Sequence, residues 1–136
     1  MSCTLCNFNT TANQIFLNAA IATVNISGNS FYVPPSVNGV YLVGGQGVTI
    51  NGNSFYGTTA GSGTGINVGG SGTGVVTGNY FGSLSVGTNL AGTSSGYNVQ
   101  ANIYNGTTTQ VANAGSNSVG VATIKDKSWQ NRTQPR

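Results

Sequence analysis

The sequence predicts an all-β chain wound as a parallel β-helix, a solenoid of about four to five coils of 23–26 residues each. Three observations predict it: a short motif recurring at that interval, strand-like alternation inside each copy, and a composition almost without charge. A repeat of this length cannot bury its own apolar face, so it must stack on its neighbours.

The motif is clearest in VNISGNSFY (Val24 to Tyr32), VTINGNSFYG (Val48 to Gly57) and VVTGNYFG (Val75 to Gly82), whose asparagines Asn29, Asn53 and Asn79 are 24 and 26 residues apart. The opening MSCTLCNF is a weaker copy with Cys6 in the asparagine slot, 23 residues before Asn29. NVQANIYNG closes the series with Asn102 in the slot, 23 residues after Asn79, and Ala101 in place of the glycine.

Registered on that slot, the residues two places later form the aromatic column Phe8, Phe31, Phe55, Phe81 and Tyr104. Three places before it stands the apolar column Cys3, Ile26, Ile50, Val76 and Val99. A second apolar cluster lies near thirteen residues before the slot, at Ile15-Phe16-Leu17, Val40-Tyr41-Leu42 and Ile66-Asn67-Val68. Val48 and Ile50 alternate with Thr49 and Asn51, the period-two pattern of a strand with one buried face. Frequent glycine and short β-branched runs argue against helices.

Between the strands, the Gly-Asn pair predicts a sharp corner. Glycine accepts positive φ without steric cost, and asparagine is expected to share the left-handed turn. Stacked asparagines Asn29, Asn53, Asn79 and Asn102 would also bond amide to amide as a polar ladder. The Gly/Ser/Thr stretches 57–65 and 82–96 are expected to be loops that absorb differences in coil length.

The chain carries four basic and one acidic residue, no histidine and a net charge of +3. All five charges, Lys125, Asp126, Lys127, Arg132 and Arg136, lie in the last twelve positions, so residues 1–124 contain no Asp, Glu, Lys, Arg or His. Charge makes up 4% of the chain, against about a quarter in ordinary domains. General acid–base catalysis, paired-carboxylate glycoside hydrolysis and a histidine-dependent triad all lack their residues, so catalytic residues, metal ligands and cofactors are expected to be none. The tail sets the high pI, which therefore does not describe a nucleic-acid-binding face. No run approaches the roughly 18–20 apolar residues of a membrane helix, and no secretory signal is expected from the N-terminus.

Cys3 and Cys6 fall in a core column and a ladder slot, which makes them stacking residues rather than a redox or zinc half-site. The sequons at Asn9, Asn25, Asn105 and Asn131 carry little information in a chain so rich in Asn, Ser and Thr. Tyr32 and Tyr56, next to inward Phe31 and Phe55, are expected to point outward one coil apart, with Tyr80 nearby. Such a row suits either sugar rings or an interface between protomers, and the interface is preferred. Residues 1–121 are assigned to the β-helix and 122–136 to a charged tail or cap that includes Trp129 and Pro135.

The corners SGNSF, NGNSF and TGNYF, with an asparagine ladder beside an aromatic stack, resemble the right-handed parallel β-helix of pectin-lyase-like proteins. The low charge and the closing stretch NIYNGTTTQVANAGSNSVG resemble the C-terminal coils of bacteriophage tailspike and tail-fibre proteins. The resemblance spans residues 1–121. It implies a non-enzymatic structural and host-receptor-recognition module of a virion, extracellular when it works, homo-oligomeric with a trimer favoured, and contacting cell-surface polysaccharide. Neither nucleic acid nor membrane insertion is expected. The alternatives are a fragment or subunit of a polysaccharide-degrading enzyme, which the missing carboxylates disfavour, and a bacterial adhesin or filament subunit.

Overall fold

The computed structural model describes residues 2–4, 6–17, 22–91, 93–94, 96–114 and 119–120. The tail at 122–136 lies outside the described residues. Among those described there is no helix, and the strands stack as a parallel β-solenoid of about four turns.

The first coil carries β1 (Ser2–Thr4), β2 (Asn7–Asn9) and β3 (Ile15–Leu17), and the second β4 (Ala22–Ser27), β5 (Ser30–Val33) and β6 (Asn38–Leu42). The third carries β7 (Gly45–Asn51), β8 (Ser54–Gly57) and β9 (Ser62–Val68). β10 (Gly72–Thr77), β11 (Tyr80–Gly82) and β12 (Leu84–Leu90) form the fourth. β13 (Tyr97–Gln100), β14 (Ile103–Asn105), β15 (Thr109–Asn113) and β16 (Val119–Gly120) follow. The first sheet is ordered β1-β4-β7-β10-β13-β16, the second β2-β5-β8-β11-β14 and the third β3-β6-β9-β12-β15. Each coil thus gives one strand to each sheet, and every parallel partner lies one coil away.

The register follows the columns of the sequence. Cys3, Ile26, Ile50, Val76 and Val99 are successive partners in the first sheet. Phe8, Phe31, Phe55, Phe81 and Tyr104 are successive partners in the second. Residues 15–17 pair with 40–42 and then with 66–68 in the third. From Ile26 to Val99 the first column is fully buried, as are Phe31, Phe55 and Phe81. The second-sheet rings stack face to face at centroid distances of 4.8, 4.5, 5.0 and 5.1 Å, close to the inter-strand spacing that parallel pairing imposes.

Across the core, the third sheet makes room for these rings with a column of glycines. Gly39, Gly65 and Gly87 occupy the register position between the pairs Asn38, Thr64, Val86 and Val40, Ile66, Thr88. A Cβ on Gly39 would approach the Phe55 ring to 2.8 Å, one on Gly65 the Phe81 ring to 2.7 Å, and one on Gly87 the Tyr104 ring to 2.5 Å. Large and small columns therefore interlock, which close packing of the interior demands. In the first sheet the same device recurs once, where the Tyr97 ring stands 2.8 Å from the Cβ position of its partner Gly74.

Two expectations are corrected. At the corners Gly28, Gly52 and Gly78 have φ of 67°, 62° and 65°, and Ala101 takes the same turn at 52°, but the asparagines that follow are absent from the positive-φ residues. One left-handed residue suffices to turn the chain, which frees asparagine to serve as a hydrogen-bonding side chain. The stretches 57–65 and 82–96 are not simply loops: much of each is strand, in β9 and β12. Their inward residues Ile66, Val68, Leu84 and Leu90 pack in the core.

Candidate recognition surface

The asparagine slot lies just beyond each first-sheet strand, with the amide turned inward. Asn29, Asn53, Asn79 and Asn102 are all at most 2% exposed. The Oδ1 of Asn53 accepts from the backbone N–H of Asn29 at 2.9 Å and from its Nδ2 at 3.1 Å. Asn79 Oδ1 takes the same two donors from Asn53, both at 3.0 Å, and Asn102 Oδ1 takes them from Asn79 at 2.9 and 3.0 Å. Asn29 Oδ1 accepts from the backbone N–H of Cys6 at 2.7 Å, so the first coil joins the ladder without an asparagine of its own. Each Nδ2 from Asn53 onward also reaches the carbonyl of a residue in the preceding coil, Ile26, Ile50 or Val76, at 2.9–3.0 Å. The ladder thus bonds each coil to the next at a buried corner behind the outer face of the second sheet.

That outer face is uncharged and mixes exposed aromatic and aliphatic side chains with Ser30, Ser54 and Asn105. Tyr32 and Tyr56 are partners in register, both 40% exposed, with ring centroids 6.0 Å apart and planes at 26°. Tyr80 is not the next member of their backbone column: the partner of Tyr56 is Gly82, and Tyr80 pairs with Ser54. The Tyr80 side chain instead crosses into the space above Gly82, 2.8 Å from its Cβ position, and meets Tyr56 at 5.3 Å with planes at 44°. Asn105 donates from Nδ2 to the Tyr80 hydroxyl at 3.1 Å and fixes that crossing. Ile103, the partner of Tyr80, extends the patch with 46% exposure. The sequence reading missed Ile103, whose place one before an inward aromatic was the available signal.

Two further features lie on the third sheet. Phe16 stacks on Tyr41 at 5.3 Å, and beyond them Asn89 donates to Asn67 at 2.9 Å, so Asn67 belongs to a short polar pair of its own. At the corner between the second and third sheets a shallow concavity of about 300 Å3 is lined by Pro35, Ser36, Gly61, Ser62, Gly63, Thr64 and Ser85.

The titrating groups with resolved shifts are buried phenols. Burial pushes Tyr104 up to about 12, an effect reduced by the side chains of Thr88 and Asn102 beside it, and burial also raises Tyr97. Among the described residues there is no cluster of three or more His, Cys, Asp or Glu, and no helix long and apolar enough to cross a membrane.

These features define a parallel β-solenoid with a buried asparagine ladder, an internal aromatic stack and an uncharged outer face. Comparison with protein families, curated proteins and solved structures finds no match for the chain.

Proposed function

We propose that the chain is a non-enzymatic structural and host-recognition module of the kind found in bacteriophage tailspikes and tail fibres, assembled as a homo-oligomer with a trimer favoured. The pectin-lyase-like resemblance, with its right-handed winding and its virion setting, is part of this proposal. The observation that carries it is the patch of Tyr32, Tyr56, Tyr80 and Ile103 on a charge-free sheet. Contiguous exposed apolar patches mark association sites, and a surface without charge lacks the repulsion that keeps identical chains apart. Because Tyr32 and Tyr56 stack on one another, they offer a partner ring edges and hydroxyls more than an open face for a sugar. This favours the protomer interface as their role.

The test is solution mass by analytical ultracentrifugation at several concentrations, for the wild-type chain and for Tyr56→Ala. A closed oligomer that Tyr56→Ala dissociates into folded protomers supports the reading. A wild-type monomer at all concentrations overturns the interface, and open-ended growth into fibres favours the filament alternative. Incubation with bacterial surface polysaccharide separates recognition from catalysis: retention with polymer length intact is expected. Shortening that survives Asp126→Asn and repurification would overturn the non-enzyme reading. Retention abolished by Tyr56→Ala with assembly unchanged would move the tyrosines from interface to sugar site.

A further inference from the structure

We infer that the corner concavity between the second and third sheets is a binding site for a neutral glycan, contacted through the hydroxyls of Ser36, Thr64 and Ser85 and the apolar ring of Pro35. The inference rests on the recognition reading above and gives it a place on the molecule that the tyrosine row does not supply.

The concavity spans three coils. Pro35 and Ser36 lie in the turn between β5 and β6, residues 61–64 in the turn and strand of the next coil, and Ser85 in β12 of the coil after that. A ligand there crosses successive coils and so reads the solenoid, not one loop. Its volume of about 300 Å3 lies at the small end of the ligand-pocket range of about 300–1,000 Å3 and suits a terminal sugar of a longer polymer.

The chemistry of the lining selects the ligand. Ser62 is committed to the fold, its hydroxyl donating to the Val33 carbonyl at 2.9 Å and accepting from the Thr59 N–H. The hydroxyls of Ser36, Thr64 and Ser85 make no hydrogen bond to any described residue. Each offers one donor and two acceptor positions, the same complement that every hydroxyl of a sugar presents in return. No charged residue occurs before Lys125, so nothing described at the site compensates the desolvation of a carboxylate or a phosphate. A neutral polyol with an apolar C–H face therefore fits, and an acidic polymer does not.

The backbone keeps the concavity open. Gly61 and Gly63 have φ of 72° and 58°, and Ser36 adopts 62°, a left-handed conformation unusual for a residue with a Cβ. A Cβ at Gly63 would meet Val33 Cγ1 at 2.4 Å and the carbonyl oxygens of Pro34 and Val37 at 2.6 and 2.8 Å, so the two turns approach as closely as glycine permits.

The test is the triple variant Ser36→Gly, Thr64→Val, Ser85→Ala in the full chain. Glycine relieves the left-handed φ, valine matches threonine in shape on a strand, and alanine removes one exposed-side hydroxyl, so the fold and assembly are expected to be retained. The probes are dextran, galactomannan and polygalacturonate, followed by affinity electrophoresis alongside thermal melting. The expected result is retardation by at least one neutral polymer, weakened about tenfold or more in the triple variant with melting unchanged or raised, and no retardation by polygalacturonate. Retardation of wild type and triple variant alike places the sugar elsewhere and overturns the site while leaving the recognition reading intact. Binding of polygalacturonate alone overturns the neutral-ligand assignment. Retardation by none of the three counts against the recognition reading and this site together.

Discussion

Replacing Asn53 by Leu removes the centre of the asparagine ladder, and the hydrogen bonds specify what that costs. Leucine cannot supply Oδ1, so the backbone N–H of Asn29, buried at the preceding corner, loses its acceptor at 2.9 Å. An orphaned buried donor costs about 1–3 kcal/mol. The Nδ2 bonds to the Ile26 and Asn51 carbonyls and to Asn79 Oδ1 also vanish, and each is worth about 1 kcal/mol net where the acceptor has no other partner. Leucine recovers part of this as buried apolar surface, leaving a net loss of about 3 kcal/mol. No left-handed strain enters, because Gly52 makes the turn. The control is Asn67→Leu, which breaks one half-buried side-chain bond to Asn89 and should cost about 1 kcal/mol or less. Urea denaturation at fixed protein concentration measures both, provided the m-values agree. Losses within about 0.5 kcal/mol of each other would refute the claim that the buried ladder, and not asparagine as such, holds the coils together.

Gly65→Ala puts a methyl group 2.7 Å from the Phe81 ring and 2.8 Å from the Gly87 carbonyl oxygen, so overpacking should destabilise by about 1–3 kcal/mol in the same titration; an unchanged midpoint would argue that the aromatic and glycine columns do not interlock. Ala101→Gly relieves the left-handed φ of 52° at the corner where alanine stands in the place of Gly28, Gly52 and Gly78 and should raise stability by about 1 kcal/mol, read as a higher urea midpoint. Tyr104, raised from 10.0 to about 12 by burial, keeps its full contribution below the unfolded value near pH 10 and loses it as pH climbs to 12, by about 2–3 kcal/mol. Tyr104→Phe should flatten that alkaline limb in pH-dependent urea melts, leaving only the smaller loss due to Tyr97; a limb of unchanged steepness would contradict the burial of this phenol.

The sequence by itself determined the coil length, the strand positions of the first two sheets and the pairing of Ile26 with Ile50 and of Phe31 with Phe55. It did so because a solenoid brings residues one repeat apart into direct contact, so a spacing in the chain is already a neighbour relation in space. It also determined the charge-free character of residues 1–124, which no folding can alter. Only the tertiary structure decided what happens between sheets. The glycines that receive the rings and the concavity at Ser36, Thr64 and Ser85 join residues of different strands and turns at intervals that no repeat length specifies, and the crossing of Tyr80 over Gly82 within β11 depends on the space that the missing side chain leaves. Small and polar residues carry no hydrophobic pattern, so β12, with Thr88 buried in the column of Ile66, gave a loop-like composition although its backbone pairs on both sides. Periodicity records contacts along the solenoid axis; the distances across its core depend on side-chain volume, which only the folded chain brings face to face.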